Sequence, residues 1–170
     1  SSLQDLRQAK MVLADAMEDL EEAGIAFNRR LPVGMMVEVP AAVIILDRLL
    51  RESDFISIGT NDLIQYALAV DRGNSEVAER YQASDPAVLR LIERSIRAAE
   101  DARVPFNVCG QMSSEVRYTM LLLGLGLRGF SVPPSAIPEV KKVCRSVAVP
   151  ACQEVARRAL EMDNAREIDS

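Results

Sequence analysis

Asp54-Phe55-Ile56-Ser57-Ile58-Gly59-Thr60-Asn61-Asp62-Leu63-Ile64-Gln65-Tyr66 changes character halfway along. Phe55 to Ile58 is a short apolar run that reads as a strand. It ends at Gly59-Thr60-Asn61-Asp62, where Asn or Asp can cap a helix beginning near Leu63 and running to Val70. A strand that passes directly into a helix is the unit from which parallel sheets with helical crossovers are built.

The unit recurs on both sides. Upstream, Gly34-Met35-Met36-Val37-Glu38-Val39 reads as a buried strand with one carboxylate near its end, and Pro40 suits the first turn of a helix through Ala41 to Leu46. Downstream, Asp85-Pro86 opens a helix with Val88, Leu89, Ile92 and Ile96 on one face, followed by a strand from Val104 to Gly110. Ser113 or Ser114 then caps a helix through Met120 to Leu123, and Gly129 to Val132 is the fourth strand. An amphipathic helix over residues 1–23, stopped by Gly24, precedes these units; its acidic run from Asp15 to Glu22 reads as a solvated face. Two helices, at about 135–147 and 151–163, and a polar tail follow them.

Four strand-helix units make an α/β fold with a parallel sheet, half of a TIM-type (β/α)8 barrel that typically needs about 250 residues. A half barrel leaves two parallel edges and one apolar sheet face unprotected. The expectation is a homo-oligomer, a piece of a longer polypeptide, or both.

Composition narrows the function. The 170 residues are 49% apolar, enough for a sizeable core and too apolar for a disordered chain. The longest apolar stretches, Ala41 to Leu46 and Met120 to Leu127, fall far short of the roughly 18 to 20 residues a membrane span requires. The start carries no secretory pattern, so a soluble intracellular protein is expected. Net charge is −5 with no basic stripe, which disfavours nucleic acid as a partner. Cys109, Cys144 and Cys152 show no Cys-x-x-Cys spacing and fit neither a disulfide framework nor a zinc site. The chain has no histidine, which excludes Ser-His and Cys-His nucleophiles, histidine metal ligation and a phosphohistidine carried by these residues.

In α/β barrels the active site lies at the carboxyl ends of the strands, and those ends offer Glu38, Asn61-Asp62, Cys109-Gly110 and Ser131. Glu38 and Asp62, on neighbouring strands, suit a shared Mg²⁺ with open positions for a phosphate substrate. They are equally a buried carboxylate paired with a base and a helix N-cap. Arg72, in Asp71-Arg72-Gly73-Asn74, is either a bidentate anion holder or a surface turn residue. Cys109 offers a thiol able to exchange a proton, or else a small buried apolar side chain, which is also the reading for Cys144 and Cys152. Gly124-Leu125-Gly126-Leu127-Arg128-Gly129 matches G-x-G-x-x-G, but it closes a helix and leads into a strand, the reverse of a dinucleotide site.

Taken together, Gly34 to Pro40, Asp54 to Tyr66, Asp71 to Asn74 and Val108-Cys109-Gly110-Gln111-Met112 resemble the phosphoenolpyruvate-binding barrel of the PEP-utilising enzymes over roughly Leu3 to Val147. The likeness is strongest to the enzyme I branch of the bacterial phosphotransferase system, with pyruvate phosphate dikinase and PEP synthase as more distant relatives. The resemblance implies the C-terminal half of the barrel over residues 1–150, with a terminal helix and polar tail over 151–170. It matches Glu38 and Asp62 to Mg²⁺ ligands, Asn61 and Arg72 to contacts of the phosphoenolpyruvate phosphate, and Cys109 to the acid that protonates the enolate of pyruvate. It further implies a cytoplasmic homodimer that transfers a phosphoryl group to a histidine on another domain and onward to a phosphocarrier protein. The family usually reads Cys-Gly-Glu-Met where this chain has Gln111, and the barrel's first four strands and the phosphohistidine domain are absent. Two alternatives stand beside this reading, a dikinase or synthase fragment and a non-catalytic dimerisation or regulatory module.

Overall fold

The computed structural model describes residues 2–169. Helix α1, Leu3–Glu22, starts at a capping box in which Ser2 and Asp5 bond reciprocally. It ends where Gly24 takes φ +67° and Ile25 N–H returns to Leu20 O at 2.9 Å. Strand β1, Met35–Val37, follows. The single helix expected through Leu46 is broken at Ile45 into α2, Pro40–Ile44, and α3, Leu46–Leu49, a bend that brings Leu46 and Leu49 as well as Val43 into the core.

Strand β2, Ile56–Gly59, passes without a loop into α4, Thr60–Leu68. That helix starts earlier than its sequence suggests, with Gly59 as its cap and no side-chain cap bond, so Asn61 and Asp62 lie inside its first turn. Asp85 accepts the Ala87 N–H and opens α5, Pro86–Ala102, whose buried face is Val88, Leu89, Ile92, Ser95, Ile96 and Ala99. Strand β3, Phe106–Cys109, leads into α6, Gln111–Ser114, and α7, Thr119–Gly124. Neither serine caps α7. Ser113 instead donates toward the Gly110 and Ser131 carbonyls, at 2.7 and 2.9 Å. Helices α8, Ile137–Ser146, and α9, Val149–Glu161, close the body, and the expected polar tail carries a further short helix, α10, Ala165–Asp169.

The three strands form one parallel sheet in the order β1-β2-β3. The expected fourth strand is reduced to a parallel bridge between Phe130 and Val108, held by Val108 N–H to Gly129 O and Ser131 N–H to Val108 O, at 3.0 and 2.8 Å. Register then sorts the residues by face. Val37, Ile56, Ile58 and Val108 point toward the helices and are fully buried with Leu63, Leu89, Ile92 and Leu122. Each such side chain contributes about 1.5–3 kcal/mol by leaving water.

The opposite face stacks two rows across the sheet. Met36, Ser57 and Asn107 form one, and Glu38, Gly59 and Cys109 the next. The open side expected of a half barrel is mixed in character: it carries the exposed, apolar Met36 together with a carboxylate, a hydroxyl, an amide and a thiol. Among the cysteines, Cys152 is buried on α9 as expected, whereas Cys144 is exposed on α8. Gly124 brings α7 and α9 together; a Cβ there would lie 2.0 Å from the Cys152 carbonyl oxygen.

Candidate active site

Each site residue owes its place to a strand that stops. Glu38 is the first residue past β1, and Gly59 at the end of β2 leaves the space its side chain fills, since a Cβ at Gly59 would stand 2.8 Å from Glu38 Oε2. Asp62 reaches the same region from the first turn of α4. Burial first, and the Asp62 charge second, hold the Glu38 carboxyl above the usual range. Neither has an ion-pair partner among the described residues, so Glu38 is not neutralised by a base, and Asp62 is not a cap.

Cys109 ends β3 with its thiol on the open face, only partly buried. Ser57 Oγ lies 3.4 Å from its sulfur and donates to Asn107 Oδ1 at 2.6 Å, while the Met36 sulfur is 3.6 Å away. This is a thiol with polar neighbours, not a small apolar filler.

Two hydrogen bonds lock the turn after Cys109 to the start of α4. Thr60 Oγ1 donates to Cys109 O at 2.8 Å, and Asn61 Oδ1 accepts the Gln111 N–H at 2.8 Å. Gly110 at φ +104° makes room for both, because a Cβ would fall 2.3 Å from Thr60 Oγ1. Gln111 enters through its backbone and its side chain is exposed, so the identity of that side chain leaves this lock untouched.

Arg72 sits in the turn after α4. Gly73 N–H is held by Asp71 Oδ1 at 2.8 Å, and Arg72 N–H approaches Gln65 Oε1 at 3.4 Å. The side chain is exposed and has no ion pair among the described residues.

The structure thus brings Glu38, Asn61, Asp62 and Cys109 to the carboxyl edge of the sheet, with Arg72 in the loop that follows α4. Sequence reasoning missed Ser57, Thr60, Asn107 and Tyr81. The polar positions 57 and 107 inside apolar strands are a period-two signal that could have marked the first and third; nothing local marks Tyr81. Among the described residues no group of three or more His, Cys, Asp or Glu side chains could hold a metal ion, so a cation shared by Glu38 and Asp62 would draw its remaining ligands from water or substrate oxygens.

A family model described as PEP-utilising enzyme, PEP-binding domain, matches residues 1–149. The chain is 47% identical over 138 residues to a phosphoenolpyruvate-protein phosphotransferase of Cupriavidus necator, an alignment covering 81% of this chain and 24% of that protein. A protein of the same name from Haemophilus influenzae is 40% identical over 99% of this chain and 29% of its own length. A multiphosphoryl transfer protein of Escherichia coli is 38% identical over 99% of this chain and 20% of its own length. The chain therefore spans less than a third of these curated relatives.

Proposed function

The chain belongs to the PEP-utilising enzymes through their PEP-binding domain, and on that premise we propose that it is the phosphoenolpyruvate-binding part of a phosphoenolpyruvate-protein phosphotransferase. The observation that carries the reading is the convergence of two unneutralised carboxylates, Glu38 and Asp62, beside a partly exposed thiol at one edge of a parallel sheet. Their hard oxygen donors suit Mg²⁺, which when bound supplies positive charge against the phosphate and the departing enolate.

The remaining roles fall to this chain's own groups. Arg72 holds phosphate oxygens, and the amide of Asn61 orients them. The bridging P–O bond of phosphoenolpyruvate breaks as a P–N bond forms to a histidine. That histidine belongs to another domain, for this chain has none. The electron pair left on the enolate takes a proton at C3 from the Cys109 thiol, giving pyruvate, and the thiolate regains its proton from water. Positioning and charge stabilisation do most of this work, as is general for phosphoryl transfer.

Within this reading, residues 1–150 are the C-terminal half of a TIM-type (β/α)8 barrel and 151–170 its terminal helix and tail. Three features support it: the parallel order β1-β2-β3, the beginning of a fourth strand at Phe130, and polar groups at the carboxyl edge. The reading extends to a cytoplasmic homodimer that passes its phosphoryl group to a phosphocarrier protein. Among the described residues no helix is long and apolar enough to cross a membrane. Replacing Asp62 with Asn in the complete phosphotransferase tests the assignment. Loss of divalent-cation-dependent pyruvate release is expected, and unchanged turnover would refute it.

A further inference from the structure

We infer that Ser57 is a positioning residue for Cys109: its hydroxyl rotates from Asn107 to the sulfur as the thiol gives up its proton, and supplies the hydrogen bond that the resulting thiolate needs. This role rests on the proposed part of Cys109 as the acid and adds the group that steadies its sulfur.

Strand register places the three residues together. Ser57 on β2 pairs with Asn107 on β3, and Cys109 lies two positions further along β3, on the same face of the sheet. Ser57 Oγ stands 2.6 Å from Asn107 Oδ1 and 3.4 Å from Cys109 Sγ. A hydroxyl carries a single proton and two lone pairs, so Ser57 donates to one of these partners at a time. While Cys109 holds its proton, the serine donates to the Asn107 amide oxygen and keeps a lone pair toward the thiol. Proton transfer then breaks the S–H bond as the C3–H bond of pyruvate forms, and the charge left on sulfur makes it the stronger acceptor. The serine O–H turns to the sulfur without giving up its own proton, and water later restores the thiol.

The other neighbours of the sulfur have no proton to offer. Met36 Sδ at 3.6 Å and the Ile58 carbonyl oxygen at 3.7 Å lie against it, and both can only accept. Among the described residues in hydrogen-bond contact with Cys109 Sγ, Ser57 is therefore the sole donor. The Thr60 hydroxyl is committed to the Cys109 carbonyl at 2.8 Å, so it holds the backbone and leaves the sulfur to the serine. Asn107 completes the device by keeping the Ser57 hydroxyl aimed across the sheet before the reaction. A rotation about one C–O bond then suffices, and neither strand has to move.

The test is exchange of the C3 hydrogens of pyruvate with solvent deuterium, followed by NMR in the complete phosphotransferase with Mg²⁺ and saturating pyruvate. Exchange requires the Cys109 sulfur to take and return a proton at C3, whereas phosphorylation of the histidine by phosphoenolpyruvate does not. Ser57→Ala is expected to slow exchange about three- to tenfold, a fraction of the weight of one hydrogen bond to a charged group, because charge on sulfur is only partly developed while the proton is in flight. Single-turnover phosphorylation of the histidine is expected to stay within about twofold of the parent. Ser57→Thr keeps the hydroxyl and is expected to restore exchange. Unchanged exchange in Ser57→Ala overturns the inference. An equal fall in histidine phosphorylation, the mark of a general disturbance of the sheet, overturns it too, as does a Ser57→Thr enzyme no faster than Ser57→Ala. Exchange that persists undiminished in Cys109→Ala overturns the underlying assignment of the thiol instead.

Discussion

Asn61 Oδ1 and the backbone N–H of Gln111 meet at 2.8 Å, tying the first turn of α4 to the first residue beyond the β3 turn. This bond couples two strand ends that the chain separates by fifty positions. It exists because Gly110 occupies a left-handed conformation between them.

Gly110→Ala is therefore expected to damage the site out of proportion to its size. The new methyl meets Thr60 Oγ1 at 2.3 Å and Asn61 Oδ1 at 2.9 Å, and an L residue at φ +104° adds backbone strain. A loss of roughly 2 kcal/mol in unfolding free energy is expected. Chemical denaturation measures it, and a variant as stable as the parent would show that the turn relaxes freely.

Glu38→Gln should stabilise the metal-free chain while weakening divalent cation binding. Burial and the Asp62 charge both disfavour the ionised Glu38, so its pKa in the folded state lies above the unfolded value. The carboxylate thus costs stability at neutral pH, a cost relieved as pH falls through the raised pKa. A neutral isostere is expected to raise the thermal midpoint by about 1–3 °C. A falling midpoint in scanning calorimetry would instead reveal Glu38 as a structural partner of a group on this chain.

Acid sensitivity is expected from a different carboxylate. Arg7 on α1 meets Glu52 at 2.6 Å, and Lys10 donates to the Glu52 carbonyl. The Arg7 hydrogen bond holds the Glu52 carboxyl below its ordinary 4.5. A depressed folded pKa contributes stability that is present above the unfolded value and lost as pH falls through the folded one. Thermal midpoints taken from about pH 6 down to pH 3 should fall less steeply in Arg7→Gln than in the parent. Identical slopes would remove this pair from the account.

Gly124→Ala probes the joint between α7 and α9. Its methyl would stand 2.0 Å from the Cys152 carbonyl oxygen and 2.8 Å from the Ala156 Cβ, so the helices must separate. A destabilisation of about 1–3 kcal/mol is expected from such overpacking, read by urea denaturation.

The pattern of apolar runs and turn residues located β1, β2, β3 and α5 with small errors at their ends, because each carries a periodicity confined to its own residues. It overreached at Gly129 to Val132, whose strand character depends on a neighbour and survives only as the bridge at Phe130. It also misjudged caps. Asn61, Asp62 and Ser113 have the chemistry of helix caps, yet here that chemistry is directed across the sheet, to the Gln111 N–H and the Ser131 carbonyl for Asn61 and Ser113, and toward Glu38 for Asp62.

By itself the sequence determined that strands and helices alternate, that they make a parallel sheet, and that polar residues gather where strands end, since side-chain periodicity and glycine placement are local properties. Only the tertiary structure decided which of those residues share a surface. Register put Glu38, Gly59 and Cys109 in one row, and the return of the loop after α4 set the Tyr81 hydroxyl against the Asn61 carbonyl. These relationships join residues up to about seventy positions apart, as between Met36 and Cys109, and they are fixed by the packing of whole elements, which no window of the sequence contains.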